Sequence, residues 1–280
     1  MTKLADLHVH TNLSDGTFSP ERVVEHSKAK GLDAIAITDH DCCKGIDPAI
    51  ITGRGLDVEI IPGVELTAEL EESEVHILGY FIDWKNVPFL KKLDEIIKVR
   101  NERAKEILRK LREYKIDISD EELFGLICGG SVGRLHIAQL MVRKGFVRSI
   151  RKAFKKYIGD RGKCYVRKFK LSPKEAVDMI KDVGGVAVLA HPNTVNIKDK
   201  NTADIVSLLV KDGIQGIEVY HSEHKAEDEN KFKELAEKYN LVITGGSDCH
   251  GFGKSEVLIG KVKVPYELVE RLRELASKKL

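Results

Sequence analysis

Residues 5–17 read ADLHVHTNLSDGT, an apolar segment that ends in two histidines and is followed closely by Asp15. The apolar beginning is typical of a buried strand, and His8 and His10, two residues apart, would point to the same side of it. Imidazole and carboxylate groups at the end of one strand are suited to metal coordination. Whether they form a site depends on the companions that the other strands supply.

Six further apolar runs resemble this first strand, and amphipathic helical patterns such as residues 20–31, 172–185 and 227–240 separate most of them. Such alternation predicts parallel βαβ units and therefore an α/β fold. In a closed parallel sheet, functional groups gather where the strands end. The seven predicted strands are residues 4–10, 33–38, 58–66, 74–82, 185–190, 216–220 and 241–246.

Histidines and acids recur at or next to these strands, with one of them, His76, inside the fourth. A single histidine at a strand end is usually structural, but recurrence on six elements predicts a metal site. One catalytic zinc uses about three protein ligands, so the set suits two or three divalent ions, and its nitrogen and oxygen donors favour Mn, Zn or Fe. The nine candidates are His8, His10, Asp15, His40, Glu65, His76, His191, Asp248 and His250.

The alternation breaks at residues 86–170, where the pattern is helical and basic. This segment holds 23 Lys and Arg against 10 Asp and Glu, although the whole chain has a net charge of only +2. Its end, residues 143–170, has twelve basic residues and one acidic residue. We therefore predict a metal-binding barrel of residues 1–85 and 171–280, interrupted by a basic helical insertion that attracts anions.

The composition excludes several other classes of protein. The 280 residues contain no apolar run of membrane-spanning length and no N-terminal secretory pattern. Five cysteines without a CxxC pair are typical of reduced thiols rather than a disulfide framework. These features predict a cytoplasmic protein with no membrane contact, and nothing indicates an obligate protein partner.

The motifs DLHVHTNLSDG, ITDHD, GVEL, VHILGY, AHP and GGSDCHG resemble, in order, those of the PHP (polymerase and histidinol phosphatase) family. The resemblance implies a distorted seven-stranded (β/α)7 barrel. The helical insertion is similar to that of phosphoesterases acting on nucleoside 3',5'-bisphosphates or short oligonucleotides. By this resemblance, one metal would bind His8, His10, Glu65 and Asp248, and a second would share Glu65 and add His76 and His191. A third would bind Asp15, His40 and His250.

The same resemblance implies substrate-binding residues in the insertion and near its edge. The stretch GRLHIA resembles the subgroup's GRPHIA with leucine in place of proline, and its Arg134 would contact phosphate. Arg100 and Arg103 match nucleotide-binding positions and, three residues apart, share a helix face. His224 resembles a position near the phosphate, whereas His221 is interpreted as a surface loop residue.

The sequence thus predicts a phosphoesterase that hydrolyses 3',5'-bisphosphate nucleotides or short 5'-phosphorylated, single-stranded oligonucleotides, using hydroxide that bound metals generate near neutral pH. A histidinol-phosphate phosphatase with the same metals is an alternative. A non-catalytic, metal-bound nucleic-acid-binding module is a second alternative, of another class. An amidohydrolase shares the HxH opening, but the pair Glu65 and His76 fits it less well.

Overall fold

The computed structural model of the chain describes residues 2–71, 73–127, 132–159, 161–166, 171–253 and 256–277. Eight strands form one sheet in the order β7-β6-β5-β4-β3-β2-β1-β8. All seven predicted strands are present, and β8 is an additional strand of two residues. The strands are β1 Leu4–Val9, β2 Ala34–Ile37, β3 Glu59–Leu70, β4 Ser73–Tyr80, β5 Val186–Leu189, β6 Gly216–His221, β7 Val242–Gly246 and β8 Val264–Pro265.

The sheet curls until its first and seventh strands meet. The amide of His10 donates to the carbonyl of Cys249 at 3.0 Å, and the amide of Asp248 donates to the carbonyl of His8 at 2.9 Å. Gly246 permits this approach, because a Cβ at that position would overlap the backbone and Cβ of His8. The α/β barrel is therefore nearly closed, as expected, and the two ends of the chain supply neighbouring side chains.

The expectation of a parallel sheet is wrong at one predicted strand, β4, and the additional strand β8 is antiparallel as well. β4 runs antiparallel to both β3 and β5, and β8 runs antiparallel to β1. The reason is the connection: Leu70 pairs with Ser73, and a turn this short can join only antiparallel strands, since a parallel pair needs a crossover of a dozen or more residues. As a result His76 reaches the site from the middle of its strand.

The helices surround the barrel or build the insertion. Three predicted helices form as α1, α7 and α9, each with at most a few residues trimmed at its ends. The helices are α1 Pro20–Ala29, α2 Ile46–Leu56, α3 Val87–Glu113, α4 Asp120–Phe124, α5 Arg134–Arg143, α6 Ile150–Ala153, α7 Pro173–Asp182, α8 Thr202–Asp212, α9 Ala226–Tyr239 and α10 Glu267–Ser277. A π-helical turn, Phe154–Ile158, continues α6.

The long helix α3 connects the barrel with the insertion. Its first half packs Phe89, Leu93 and Ile96 into the barrel's hydrophobic core. Its second half contributes Ile107 and Leu111 to a separate hydrophobic cluster with the rest of the insertion. The second half of α3 and the insertion helices that follow it therefore share a hydrophobic core of their own. Residues 167–170, part of the predicted basic run, lie outside the described residues.

Candidate metal centre and phosphate pocket

The first strand delivers two buried histidines and is followed by a fixed loop. The rings of His8 and His10 lie 5.2 Å apart between centroids. In the loop after them, the buried carboxylate of Asp39 accepts hydrogen bonds from the amide and hydroxyl of Thr11, both at 2.7 Å, and from the hydroxyl of Ser14 at 2.6 Å. Asp39 thus fixes the bend of the chain that brings Asp15 back toward the histidines.

Four side chains place one donor atom each around a common point. His8 Nε2 lies 3.3 Å from Glu65 Oε2 and 3.5 Å from Asp248 Oδ1. His10 Nε2 lies 3.1 and 3.3 Å from the same two oxygens. Ligands of one tetrahedral ion, each about 2.0–2.2 Å from it, are roughly 3.3–3.6 Å apart. The four distances between these histidine nitrogens and carboxylate oxygens, 3.1 to 3.5 Å, are close to that spacing.

The second oxygen of Glu65 faces two further histidines. Glu65 Oε1 lies 2.9 Å from His76 Nδ1 and 3.0 Å from His191 Nε2. The other ring nitrogen of His76 lies 2.9 Å from the carboxylate of Glu74. Because its two oxygens face different sets of histidines, Glu65 has the geometry of a carboxylate that bridges two ions.

A third group forms around Asp15. Its Oδ1 lies 3.2 Å from His250 Nε2, and its Oδ2 lies 3.8 Å from His40 Nε2. The other nitrogen of His40, Nδ1, lies 3.2 Å from Glu65. His40 therefore stands between this group and the bridging carboxylate. The structure brings all nine predicted ligands into one contiguous cluster of donor groups.

Several donor atoms at the centre of the cluster are buried without a hydrogen-bond partner among the described residues. They are His8 Nε2, His10 Nε2, Asp15 Oδ1 and His40 Nδ1. Leaving a buried polar atom unpaired is costly, so each such atom needs an explanation. Divalent cations bound among these atoms would satisfy all four at once. The donor set therefore fits bound divalent metal ions.

The carboxylates raise the pKa of some of the cluster's histidines, whereas burial lowers the pKa of His40 and His191. Burial alone would lower the pKa of His10, but the carboxylates of Asp248 and Glu65 outweigh it and raise the pKa to about 10. The pKa of His76 rises to about 9 against its burial, owing to Glu65 and Glu74. Burial would raise the pKa of Glu65, yet the surrounding histidines, His40 foremost, hold it well below its usual range.

Two residues that sequence reasoning missed complete the cluster. Glu218, buried on β6, has Oε1 3.0 Å from His8 Nδ1, and its Oε2 accepts a hydrogen bond from the amide of His191 at 2.7 Å. His221 is not the surface residue that the sequence suggested, because its ring is buried with Nε2 3.5 Å from Asp248. In the sequence, Glu218 stands out as an acid within the apolar run GIEVY, and His221 directly follows that run. These two features were the available signals.

The backbone is strained where ligand candidates leave their strands. His191 has a φ of 24°, and Asp248 has a φ of 51°. Asp41, next to His40, has a φ of 50°. Non-glycine residues adopt such angles at a cost of about 1–3 kcal/mol each, and such strain concentrates at functional sites. These backbone angles therefore lower the stability of the fold, while they direct the side chains of ligand candidates toward the donor cluster.

A pocket of about 170 Å³ opens beside the cluster and is lined by Asp15, His40 and His76 on the barrel side. The insertion lines its other side with Arg100, Arg103 and Arg134. The arginines on one side of the pocket thus face a carboxylate and histidines on the other side. This arrangement can hold a phosphate between arginines and metal ions.

The three arginines differ in how they are anchored. Arg100 donates to the Asp41 carboxylate and to Thr67. Arg134 donates to Glu74 at 2.9 Å. Arg103 donates its Nε to the carbonyl of Val166 at 2.8 Å, while its buried Nη2 has no partner among the described residues.

Burial and the positive charge of the neighbouring Arg134 lower the pKa of Arg103.

His224 is set apart from the other predicted substrate residues. Its Nδ1 donates to the carbonyl of Val219 at 2.8 Å, and its ring lies 5.1 Å from that of His221 and 4.9 Å from that of Phe232. It does not line the pocket that the arginines face. His224 therefore contacts the cluster through His221.

Comparison with known proteins identifies relatives over most of the chain. The family model of the PHP domain matches residues 6–165. The chain is 35% identical to the 5'-3' exoribonuclease Rnm of Escherichia coli over 88% of its own length and 84% of that protein's. It is 30% identical to the 3',5'-nucleoside bisphosphate phosphatase of Chromobacterium violaceum over 89% of its length and 91% of that protein's.

A similar structure has also been solved. The crystal structure of a protein described as a metal-dependent phosphoesterase from Bifidobacterium adolescentis superposes with a TM-score of 0.87 at 28% identity. The match covers 97% of this chain and 96% of that one. The likeness therefore extends over both the barrel and the insertion.

Proposed function

This chain belongs to the PHP family and is a metal-dependent phosphoesterase; from that premise we propose that it hydrolyses phosphate esters of nucleotides, either 3',5'-bisphosphate nucleotides or short 5'-phosphorylated oligonucleotides. The exoribonuclease and the bisphosphate phosphatase among its relatives support this substrate class. The roles that follow are part of the same proposal.

One observation carries the proposal: the pocket in which the donor cluster meets three arginines. Asp15, His40 and His76 line it from the barrel, and Arg103 and Arg134 line it from the insertion. Arginine matches the geometry of phosphate oxygens through paired N–H donors. A phosphate in this pocket would contact the arginines on one side and the donor cluster on the other.

We propose that the nine predicted residues hold two or three ions, of Mn, Zn or Fe. His8, His10, Glu65 and Asp248 would hold one ion, and Glu65 would share a second with His76 and His191. Asp15, His40 and His250 would hold the third. The spacing within these groups and the buried atoms without hydrogen-bond partners support this division.

Bound divalent ions would lower the pKa of a coordinated water to near neutrality and would offset charge on the phosphoryl group. Side chains of the protein would bind and orient the substrate. Arg103 and Arg134 would bind phosphoryl oxygens and stabilise the charge that develops on them. Glu74 would keep Arg134 turned toward the pocket. Arg100, held by Asp41, would contribute positive charge to the same side of the pocket. For His224 we propose only an indirect influence through His221.

We further propose residues 86–170 as a functional insertion that roofs a barrel formed by residues 1–85 and 171–280. The insertion's separate hydrophobic cluster supports this division. Among the described residues, no helix is long and apolar enough to cross a membrane. We place the enzyme in the cytoplasm, since the four cysteines that the structure describes are all buried free thiols; Cys128 lies outside the described residues.

A substrate panel tests the proposal. The metal-loaded protein is incubated with a 3',5'-bisphosphate nucleotide, a short 5'-phosphorylated RNA, histidinol phosphate and a chromogenic phosphodiester, and free phosphate and nucleotide products are measured. We expect turnover of the bisphosphate nucleotide, the RNA or both. The variants His10→Ala and Asp248→Asn serve as controls and should lose this activity while keeping the far-UV circular dichroism of the parent.

The panel also separates the alternatives. Turnover of histidinol phosphate with no turnover of either nucleotide substrate would overturn the proposed substrate class. Salt-dependent binding of RNA without turnover of any substrate would indicate a non-catalytic nucleic-acid-binding module instead.

A further inference from the structure

The pocket between the metal-ligand candidates and the three arginines is called here the phosphate pocket. We propose that a second groove beside it binds the next nucleotide of a single-stranded oligonucleotide, the one adjacent to the nucleotide whose phosphate lies at the metals. The enzyme would then act on single-stranded oligonucleotides. This inference rests on the proposed function. The groove, called here the strand groove, has a volume of about 560 Å³ and is lined by Ser73, Phe154, Lys155, Arg161 and Lys198, among others.

The strand groove adjoins the phosphate pocket along two chain segments. On β4, Glu74 lines the pocket and its neighbour Ser73 lines the groove. On the π-helical turn, Phe154 lines both, and Lys155 continues into the groove. The pocket and the groove therefore share a boundary formed by β4 and the π-helical turn.

Arg134 connects the two spaces from the insertion. It donates to Glu74 at 2.9 Å and to the carbonyl of Ile158 at 3.4 Å. Ile158 directly precedes Gly159, which lines the strand groove. The phosphate-binding arginine thus stands at the boundary between pocket and groove.

The charges of the groove suit a phosphodiester backbone. Lys155, Arg161 and Lys198 are exposed, and none forms an ion pair with a residue of the part of the chain that the structure describes. Among the described residues that line the groove, the one acid is Glu71, which is paired with Lys200 at 3.0 Å. Three cations therefore remain available to phosphates that lie beyond the pocket.

Phe154 supplies the aromatic surface that a base requires. Its ring is half-buried, with the guanidinium carbon of Arg134 5.6 Å from the ring centroid. Single-stranded nucleic acids bind through basic grooves combined with aromatic rings on which bases stack, and each stacked base contributes about 1–3 kcal/mol. Phe154 belongs to a π-helical turn, a rare element that is frequent at functional sites.

The test compares two substrates in one variant. Lys155→Gln, Arg161→Gln and Lys198→Gln are combined in the metal-loaded protein, and kcat/KM is measured for a 5'-phosphorylated RNA trinucleotide and for a 3',5'-bisphosphate nucleotide. At 0.1 M salt we expect the trinucleotide value to fall by about tenfold or more, because phosphate contacts are lost. The bisphosphate value should stay within about twofold, because that substrate has no neighbouring nucleotide to place in the groove.

A charge-matched control lies on the neighbouring surface of the insertion. Arg148, Lys152 and Lys156 line a different groove, and their combined change to Gln removes the same number of charges. We expect this variant to lower the trinucleotide value by less than about twofold. The salt dependence gives a second readout: the slope of log(kcat/KM) against log salt should become shallower by about 0.7 per lost contact only in the strand-groove variant.

Phe154 is tested with a matched pair of substitutions. Phe154→Leu keeps the bulk without the aromatic face, whereas Phe154→Tyr keeps the face. We expect Leu to lower the trinucleotide value by about tenfold relative to Tyr.

The possible failures are distinct. Equal losses for both substrates, or equal losses in the groove variant and its control, would overturn the strand groove while the phosphoesterase activity stands. The parent's failure to hydrolyse either substrate would overturn the proposed function itself.

Discussion

Glu218 Oε1 lies 3.0 Å from His8 Nδ1, with both side chains buried completely. The other oxygen of Glu218 accepts a hydrogen bond from the amide of His191. One carboxylate therefore orients the ring of one proposed ligand and the backbone of another. Because Glu218 bonds His8 Nδ1, the opposite nitrogen, Nε2, is left facing Glu65 and Asp248.

Glu218→Gln should weaken metal binding without removing a proposed ligand. Loss of such a carboxylate partner typically costs about 10- to 100-fold in metal affinity or activity, because the ring loses its fixed orientation and part of its basicity. Titration of the metal-free protein with Mn²⁺ or Zn²⁺ measures the change. Glu227→Gln, an exposed acid on α9, is the matched control and should bind as the parent does. Equal affinities in the two variants would contradict this role.

His8→Ala and Asp15→Ala should deplete different metal positions. His8 faces Glu65 and Asp248, whereas Asp15 faces His40 and His250, so each substitution removes a donor from a different group. Metal analysis gives the number of ions per chain, and anomalous diffraction from crystals of each variant shows which position has lost its ion. Loss of the same ion in both variants would refute the proposed division of ligands.

Arg103→Gln should impair phosphate binding more than Arg109→Gln, which changes an exposed arginine. The buried Nη2 of Arg103 has no hydrogen-bond partner among the described residues, and Arg103 lines the pocket together with Arg134, so we propose that it binds a substrate phosphate there. We expect kcat/KM to fall by about 100-fold, the typical effect of removing one donor to a developing oxyanion. Arg109→Gln, an exposed arginine on the same helix, should remain within about twofold. Similar values for the two variants would exclude a substrate contact for Arg103.

Gly246→Ala should destabilise the barrel at its closure. The new Cβ would overlap the backbone of His8, so β1 and β7 would have to separate. We expect the free energy of unfolding to fall by about 3 kcal/mol, as for severe overpacking. Gly55→Ala is the control: its Cβ would meet nothing within 4 Å, and it should stabilise α2 by about 0.5–1 kcal/mol. Denaturant unfolding of both variants provides the comparison.

The strands were predictable because their apolar runs are short, continuous and bounded by helix patterns. β8 was missed because Val264–Pro265 is only two residues long and includes a proline, and such a segment has no hydrophobic periodicity. The direction of β4 was also missed. Alternation of strands and helices sets an expectation of parallel pairing, whereas the turn between Leu70 and Ser73 determines the actual direction.

The ligand candidates could be identified because metal ligands are histidines and acids at strand ends, where few other roles require them. Glu218 lies inside a strand, and its role comes only from contacts with His8 and His191, which are distant in sequence. His221 is a histidine at the end of a predicted strand, like most of the ligand candidates. The polar residues that follow it nevertheless suggested a surface loop. Arg103 and Arg134 approach each other through the fold of the insertion, which helical periodicity alone does not determine.

The rate of phosphate release from a 3',5'-bisphosphate nucleotide tests the central claim most directly when it is followed through removal and return of metal. If a short 5'-phosphorylated RNA is the preferred substrate, the rate of nucleotide release from that RNA is followed instead. The protein is treated with a chelator, freed of it and assayed, and then assayed again with Mn²⁺ or Zn²⁺. We predict that chelation abolishes hydrolysis and that one of these ions restores it, while His10→Ala is not restored. Hydrolysis at the full rate by the chelated, metal-free protein would contradict the account.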